Sequence, residues 1–341
     1  MAVRRARLDI ESYVRLTELA DYIVPFALRV ICDIGLADHL VDGPRPVDEL
    51  AEATGTHAPS LHRALRALAC RGIFTETEPG TFALTPLAEP LRADHPFSVQ
   101  ECFPLMPPDV MSWGRMDHSL RTGEPAFEAL HGTGYYDYFT APERAEDARR
   151  FELSSESVNP FVLRTVLPAY DWGSMATLVD VGGGYGTFAT GLLERHPHMS
   201  ATILDQPHIA EVAKEKVAAG PVADRCTVTG GDFFESVPAG AEGYLLKTVL
   251  HDWDDERAGQ ILRAVRAAMA PESRLVVVES LREDGDDADD VGKVMDVKAM
   301  VLFGGHARTQ EEFDALFAAA GLRRSRVVAT PTMTVLEARA V

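Results

Sequence analysis

The sequence has few cysteines and no paired cysteine motif. Its 341 residues include four cysteines, which are scattered along the chain without a C-x-x-C pair. A disulfide framework or a structural zinc site would need clustered ligands, so we expect neither a disulfide nor a metal. Scattered cysteines are typical of a reducing compartment, and we predict a cytoplasmic location.

Basic residues are also in short supply. Lysine and arginine together number 33 against 52 aspartates and glutamates, which gives a formal net charge of −19. Nucleic acids and anionic membrane surfaces bind basic protein surfaces. We therefore expect no nucleic-acid partner and no membrane partner, and the charge favours a neutral or cationic small ligand.

Long apolar runs are absent too. No continuous run reaches membrane-spanning length, and the opening stretch MAVRRARLDIESY lacks the apolar core of a secretion signal. We expect a soluble chain, and its length allows two domains with a large core.

The first part of the chain has helical spacing with short breaks. Residues 16–41 are apolar on nearly every face, which is typical of helices buried against a partner subunit. Leu61, Leu65 and Leu68 then repeat at helical spacing, and a strand pair is predicted around Pro79-Gly80. Helix, turn, helix and hairpin together indicate a winged helix, and we assign residues 1–102 to this domain.

A winged helix can mediate dimerisation or bind DNA. The second predicted helix carries only Arg63, Arg66 and Arg71 as basic residues, in an acidic chain. We favour a packing and dimerisation module, and the alternative is a ligand-responsive DNA-binding regulator.

Residues 103–165 are predicted to be helical and are rich in aromatic side chains. Such residues can form an ordinary core, or a lid over a flat aromatic substrate. We interpret this segment as substrate-capping helices within a catalytic domain of residues 103–341.

From about residue 176 apolar strands alternate with amphipathic helices. This alternation predicts an α/β fold with a mostly parallel, doubly wound sheet, and the closely coupled last two strands predict an antiparallel hairpin at one edge. The predicted strands are TLVDV, ATILD, CTVTG, YLLKTVL, RLVVVES, RSRVVAT and TMTVLEARA.

The stretch LVDVGGGYG (178–186) predicts a strand followed by a glycine turn and a helix. Gly182 and Gly184 let the backbone turn sharply and approach a ligand, while the helix offers free N–H groups. Thr187 stands where a G-x-G-x-x-G dinucleotide fingerprint would need glycine, and the loop lacks the Gly-Lys-Ser/Thr of a phosphate-binding P-loop.

Two acidic residues follow the next two strands. Asp205 is placed to accept hydrogen bonds from ribose hydroxyls, and Asp232 with Phe233 suits an adenine ring. Either aspartate could instead be a helix N-cap.

These stretches, with LDQP, GGDFF, LLKTVLHDW and GGHARTQEEF, resemble the S-adenosylmethionine-dependent O-methyltransferases that act on phenols and polyketides in plants and actinobacteria. The resemblance covers nearly the whole chain. It implies S-adenosylmethionine as cofactor, S-adenosylhomocysteine as product, a small aromatic substrate of secondary metabolism or antibiotic biosynthesis, and a homodimer formed through the N-terminal domain. It also implies a Rossmann-like class I methyltransferase sheet of order 3-2-1-4-5-7-6, with the last strand antiparallel, and a position for Lys247 beside the cofactor.

His251 is the predicted catalytic base. If YLLKTVL (244–250) is a strand, Lys247, Val249 and His251 share one face, and His251 lies at the carboxyl end where such sheets bind ligands. A phenol with a pKa near 10 is mostly protonated at pH 7, whereas a histidine with a pKa near 6.5 is mostly the free base. A general base contributes about 10²–10⁴-fold. The alternative is a histidine that only caps or packs.

A carboxylate is expected to orient the ring. Glu279 matches one acid of the family, but Ala307 takes the position of the other, since the chain reads GGHART where the family has G-G-x-E-R-T. We favour Glu279 as the partner, with Asp252 or Asp296 as alternatives.

Substrate-wall candidates are spread over the predicted cap and the segment before GGHART, and each of them is equally compatible with core packing. They are Met111, Trp113, Phe151, Asp296, Met300 and Phe303. The predicted reaction is methylation of a phenolic hydroxyl, and the alternative is methylation of a phenol-activated ring carbon or other chemistry on the same scaffold.

Overall fold

A computed structural model describes residues 9–285 and 290–341. The chain forms two compact units, and the division falls between Leu105 and Met106. The boundary proposed from the sequence was three residues earlier, after residue 102.

The first unit is mainly helical with one small sheet. Its helices and strands are α1 (Ile10–Ala20), α2 (Ile23–Asp33), β1 (Arg45–Pro46), α3 (Val47–Thr54), α4 (Ala58–Ala69), β2 (Phe74–Glu78) and β3 (Thr81–Leu84). The strands form an antiparallel sheet of order β1-β3-β2. Leu61, Leu65 and Leu68 are buried on α4, as their helical spacing predicts. The winged-helix architecture is therefore present.

Helix α1 has an unpartnered apolar surface within this unit. None of its residues is buried, and Leu16 is 66% exposed. At the start of α2, Tyr22 and Ile23 are also exposed. Neighbouring exposed apolar residues of this kind are typical of an interaction site.

The second unit begins with the helices α5 (Pro107–Trp113), α6 (Met116–Thr122), α7 (Ala126–His131), α8 (Tyr135–Tyr138), α9 (Ala145–Ser157) and α10 (Asn159–Val166). The alternating part follows, with β4 (Thr177–Val181), α11 (Thr187–Arg195), β5 (Ser200–Asp205), α12 (Pro207–Ala218), β6 (Cys226–Gly230), β7 (Gly243–Lys247), α13 (Asp255–Ala268) and β8 (Arg274–Glu279). The chain ends with α14 (Val291–Leu302), α15 (Gln310–Ala319), β9 (Leu322–Ala329) and β10 (Thr334–Ala340).

The large sheet has seven strands in the order β6-β5-β4-β7-β8-β10-β9. Counted from β4, this is the predicted order 3-2-1-4-5-7-6. Strand β10 is antiparallel to both neighbours, and the other pairs are parallel. The sheet order reverses between β4 and β7, and this switch point is where open α/β sheets bind ligands.

Buried side chains cover both faces of the large sheet. One hydrophobic cluster packs α13 and α15 on one face, and a second packs α10 and α11 on the other. Strands buried on both faces explain the almost continuous apolar sequences of β7 and β8. In the ranges 9–285 and 290–341, no helix is long and apolar enough to cross a membrane.

The predicted length of the fourth strand was wrong. Strand β7 ends at Lys247, and Thr248 adopts a left-handed conformation with φ of 55°. Residues Leu250–Asp252 then form a short 3-10 turn. His251 therefore lies on this turn rather than on the strand face it was predicted to share with Lys247 and Val249. We call residues 248–253 the tip segment.

Candidate active site

The glycine turn lies at the carboxyl end of β4. Gly182 and Gly184 have φ values of 72° and 57°, a region that favours glycine. A Cβ atom on Gly182 would lie 2.8 Å from Cγ2 of Val249 in the tip segment. Glycine therefore lets the turn and the tip segment meet at the switch point.

Asp205 is joined to the glycine turn. Its Oδ2 accepts a hydrogen bond from the Gly184 N–H at 2.8 Å, and its Oδ1 accepts one from the Gln206 N–H at 2.7 Å. These bonds lower the pKa of the carboxyl, but burial raises it more. The turn and Asp205 thus form one surface of backbone amides and a carboxylate.

Asp180 is a buried acid that the sequence reasoning passed over. It is 1% exposed, and neither carboxyl oxygen has a hydrogen-bond partner among the described residues. Burial raises its pKa to about 7, although the positive charge of Lys247 on the adjacent strand acts against this rise. Its place in the run D-x-G-x-G-x-G was the signal, because an acid just before a glycine turn lies beneath the loop.

Lys247 and the Asp232-Phe233 pair lie near the same edge. Burial lowers the pKa of Lys247, while Asp180 raises it. Asp232 is exposed and accepts a hydrogen bond from the Phe234 N–H at 2.8 Å, so it caps its own turn. The Phe233 ring lies 3.6 Å from the position of a Cβ on Gly182.

Glu279 contacts the tip segment through both of its carboxylate oxygens. Its Oε1 accepts hydrogen bonds from the N–H groups of Val249 and Leu250, at 3.0 and 2.9 Å. Its Oε2 lies 2.8 Å from Nδ1 of His251. One buried carboxylate on β8 therefore fixes both the backbone before His251 and the Nδ1 edge of the ring.

Asp252 approaches the other ring nitrogen. Its Oδ1 is 3.1 Å from Nε2 of His251, an ion-pair distance without the alignment of a hydrogen bond. Its Oδ2 accepts a hydrogen bond from the Tyr136 hydroxyl at 2.5 Å. The imidazole thus lies between two buried carboxylates.

The two carboxylates change the protonation of His251. Burial by itself lowers the pKa of the ring, but the charges of Asp252 and Glu279 outweigh this effect and raise the pKa to about 9. Lys298 on α14 acts in the opposite direction. The sequence alone predicts the free base at neutral pH, whereas the two buried carboxylates beside the ring favour the imidazolium.

Arg308 binds the backbone of the tip segment through its guanidinium group. Its guanidinium donates to the carbonyl oxygens of Leu250 and Trp253, each at 2.7 Å, and pairs with Asp255. Arg308 is almost fully buried. The sequence reasoning did not single it out, although a basic residue inside GGHART, beside an acidic tip, was a usable signal.

The region around Ala307 differs from the expected pattern. Ala307 is buried, and its N–H donates to Oδ1 of Asp296 at 2.9 Å. Asp296 therefore binds the backbone at the point where the family's second acid is expected. The structure brings Glu279 and Asp252 to His251.

An aromatic cluster packs beside the tip segment. It comprises Tyr135, Tyr136, Phe139, Phe151 and Phe303. Met300 packs against the same hydrophobic core. Met111 and Trp113, on α5, are 55% and 40% exposed, and the cluster forms without them. Four of the six predicted wall residues therefore lie near the tip segment or the aromatic cluster, namely Phe151, Asp296, Met300 and Phe303. The other two, Met111 and Trp113, face solvent.

Two family models match the chain. One describes an O-methyltransferase domain and matches residues 113–323. The other describes an O-methyltransferase dimerisation domain and matches residues 17–94.

Individual relatives extend over almost the full length. A phenazine O-methyltransferase of Lysobacter antibioticus is 39% identical over 338 residues, which is 97% of this chain and 96% of the relative. An aclacinomycin 10-hydroxylase of Streptomyces purpurascens is 32% identical and covers 92% of this chain and 85% of its own length.

A solved structure gives the ligands of one relative. An O-methyltransferase from neocarzinostatin biosynthesis, in complex with S-adenosylmethionine and 2-hydroxy-5-methyl naphthoic acid, superimposes with a TM-score of 0.81 at 32% identity. The match covers 95% of this chain and 98% of that one.

Proposed function

The chain belongs to the family of S-adenosylmethionine-dependent O-methyltransferases, and from this we propose that it methylates a phenolic hydroxyl of an aromatic secondary metabolite with His251 as the general base. Its cofactor is S-adenosylmethionine, which supplies an electrophilic methyl group when bound and leaves as S-adenosylhomocysteine.

The residues at the switch point fit this cofactor. Gly182 and Gly184 leave the backbone open to close approach, and Asp205 presents a carboxylate for the ribose hydroxyls. Asp180 lies beneath the same loop as a buried acid whose carboxyl oxygens have no hydrogen-bond partner among the described residues. Phe233 and Asp232 remain the candidates for the adenine.

The observation that carries the proposal is the position of His251 between Glu279 and Asp252. A ring with a pKa of about 9 is a stronger base than an ordinary histidine, and its pKa is close to the value of about 10 for a phenol. Proton transfer from the acceptor to the ring is then nearly balanced in free energy. The two carboxylates stabilise the imidazolium that this transfer produces.

Because the pKa of His251 is raised, the neutral ring is the minor fraction at pH 7. Turnover then uses either this neutral fraction with a phenol, or the imidazolium with a phenolate. Both routes place one proton on His251 and a nucleophilic oxygen beside it. Glu279 fixes the ring through Nδ1 in either case.

The experiment is a transfer assay with an isotopically labelled methyl donor and a panel of phenols. We expect His251→Ala to lose about 10²–10⁴-fold in kcat while it keeps its affinity for S-adenosylmethionine. His57→Ala, which removes an exposed histidine of the first unit, is the matched control. Near-normal turnover in His251→Ala would remove the base from the mechanism.

The position of the label decides between acceptors. Ala307 replaces a family acid, and one relative is a hydroxylase, so the alternative is methylation of an activated ring carbon or other chemistry on the same scaffold. Label on oxygen supports the main proposal. Label on carbon, or product without label, supports the alternative.

We also propose that the exposed apolar surface of α1 forms a homodimer interface. The dimerisation-domain match and the exposure of Leu16 support this assignment. Leu16→Glu should give a monomer in analytical ultracentrifugation, because a charge placed in an apolar interface is costly to desolvate. Leu87→Glu replaces an equally exposed leucine elsewhere in the same unit and should leave the dimer intact.

A further inference from the structure

We propose that Tyr136 is a positioning residue for the base, and that its hydroxyl acts through Asp252 to set the orientation and proton affinity of His251. The inference rests on the proposed function, since it concerns the same ring. Its test includes a titration that requires no methyl transfer.

The first step is the contact itself. The Tyr136 hydroxyl donates to Oδ2 of Asp252 at 2.5 Å, across 116 positions of sequence. Burial raises the pKa of this phenol well above its ordinary value, and the charge of Asp252 adds to the effect. The hydroxyl therefore keeps its proton over the whole working range of pH and always acts as a donor.

The second step concerns the two carboxylates beside the ring. Glu279 is anchored by the N–H groups of Val249 and Leu250. Asp252 has the Tyr136 hydroxyl in the same role, on the oxygen that faces away from His251. Each carboxylate thus uses one oxygen for an anchor and the other for the imidazole.

The third step is electrostatic. Burial raises the pKa of Asp252, whereas the charge of His251 and the hydrogen bond from Tyr136 lower it. The Tyr136 hydroxyl therefore helps to keep Asp252 ionised. An ionised Asp252 in turn raises the proton affinity of His251. Glu279 raises it as well, and Lys298 lowers it.

The tyrosine ring is held so that its hydroxyl stays on Asp252. It stacks on Trp253 with centroids 6.0 Å apart and on Phe303 at 5.9 Å, and its edge meets Phe151 at 6.1 Å. Removal of the hydroxyl alone leaves these ring contacts in place. Tyr136→Phe is therefore a variant that isolates the hydrogen bond.

Tyr135 provides the matched control. It is the preceding residue on α8, and its hydroxyl donates to Asp109 at 3.3 Å instead of to Asp252. Tyr135→Phe removes a buried hydroxyl from the same cluster without touching the Asp252 anchor. Thermal unfolding of both variants checks that each is folded.

The test is a titration of the His251 imidazole by NMR in the wild-type protein and in both variants. We expect the midpoint to move about one pH unit lower in Tyr136→Phe, a tenfold loss of proton affinity, and to stay in place in Tyr135→Phe. Asp252→Asn should lower the midpoint further. Tyr136→Phe should then have no additional effect in the Asp252→Asn background.

An unchanged or higher midpoint in Tyr136→Phe would overturn the proposal, and so would an equal shift in Tyr135→Phe. An additional shift from Tyr136→Phe on top of Asp252→Asn would also overturn it, because the hydroxyl would then act by another route. Failure of the proposed function is distinct from these outcomes: His251→Ala would turn over normally, whatever the titrations give.

Discussion

Gly305 lies directly against the backbone of His251. A Cβ atom on Gly305 would come within 2.2 Å of the His251 carbonyl oxygen and 2.4 Å of the Trp253 nitrogen. The three nearest atoms all belong to the backbone, so no side-chain rotation could relieve the overlap. The second glycine of GGHART is therefore required by the position of the tip segment.

Gly305→Ala should displace the tip segment. We expect a loss of about 1–3 kcal/mol in the free energy of unfolding and a large loss of kcat. Gly259→Ala is the control, because there the added atom meets only the flexible end of Arg263 within helix α13. Urea unfolding and the transfer assay measure both. Wild-type values for Gly305→Ala would refute the steric argument.

The pH dependence of turnover follows from the pKa of His251. Because this pKa is raised to about 9, the free-base form is scarce at neutral pH and accumulates as the pH passes 9. For an acceptor that stays protonated in this range, kcat/KM should rise with pH to a midpoint near 9. Glu279→Gln removes one of the raising charges, so its midpoint should fall. A wild-type midpoint near 6.5 would contradict the two-carboxylate environment.

Asp180 should make stability depend on pH. Its pKa is raised from 3.8 to about 7 in the folded protein, so between these values the folded state binds more protons than the unfolded state. Stability from this group is complete below pH 3.8 and is lost as the pH rises through 7. Between about pH 4 and about pH 7, the unfolding free energy of the wild-type protein should fall by an amount on the order of a few kcal/mol, and Asp180→Asn should flatten this fall. Identical pH profiles for the two proteins would contradict this.

Asp205 should contribute to cofactor affinity. Asp205→Asn keeps the size of the side chain but replaces the charged carboxylate to which the ribose hydroxyls would donate. We expect the dissociation constant for S-adenosylmethionine to increase about tenfold. Asp224→Asn, an exposed acid outside the switch point, should bind normally. Calorimetric titration measures both constants. Equal affinities would leave Asp205 with only its bonds to Gly184 and Gln206.

The sequence carried enough information for the topology of the second unit. Each of its strands is a separate apolar run, and the turn at Gly182 and the acid at Asp205 follow strands whose carboxyl ends must meet in a parallel sheet. The family resemblance supplied the strand order. The apolar runs, the glycine turn and the acid that follows a strand are each marked by a short stretch of sequence, so the sequence of one chain is enough to predict them.

The end of β7 was beyond this reasoning. The sequence YLLKTVL predicts a continuous apolar strand, but Thr248 is left-handed and the next two N–H groups donate to Glu279 on the neighbouring strand. These hydrogen bonds depend on a partner about thirty residues away. The periodicity of apolar residues in the sequence cannot indicate such a long-range hydrogen bond.

The anchor of Asp252 was hidden for a related reason. In the sequence, Tyr136 is one of many aromatic residues. Its hydrogen bond to Asp252 can be recognised only when the position of α8 beside the tip segment is known. Ala307 suggested a missing acid. The structure shows that the second acid beside His251, in addition to Glu279, is Asp252, its neighbour in sequence.

The groups that contact the tip segment come from both directions along the chain. Tyr136 precedes it, whereas Glu279, Gly305 and Arg308 all follow it. A nascent chain of 300 residues already contains His251 but lacks Arg308. The carbonyl oxygens of Leu250 and Trp253 then have no guanidinium from which to accept hydrogen bonds. The surroundings of His251 are thus complete only in a chain that extends beyond residue 308, and a product truncated at residue 300 would contain His251 without Gly305 and Arg308.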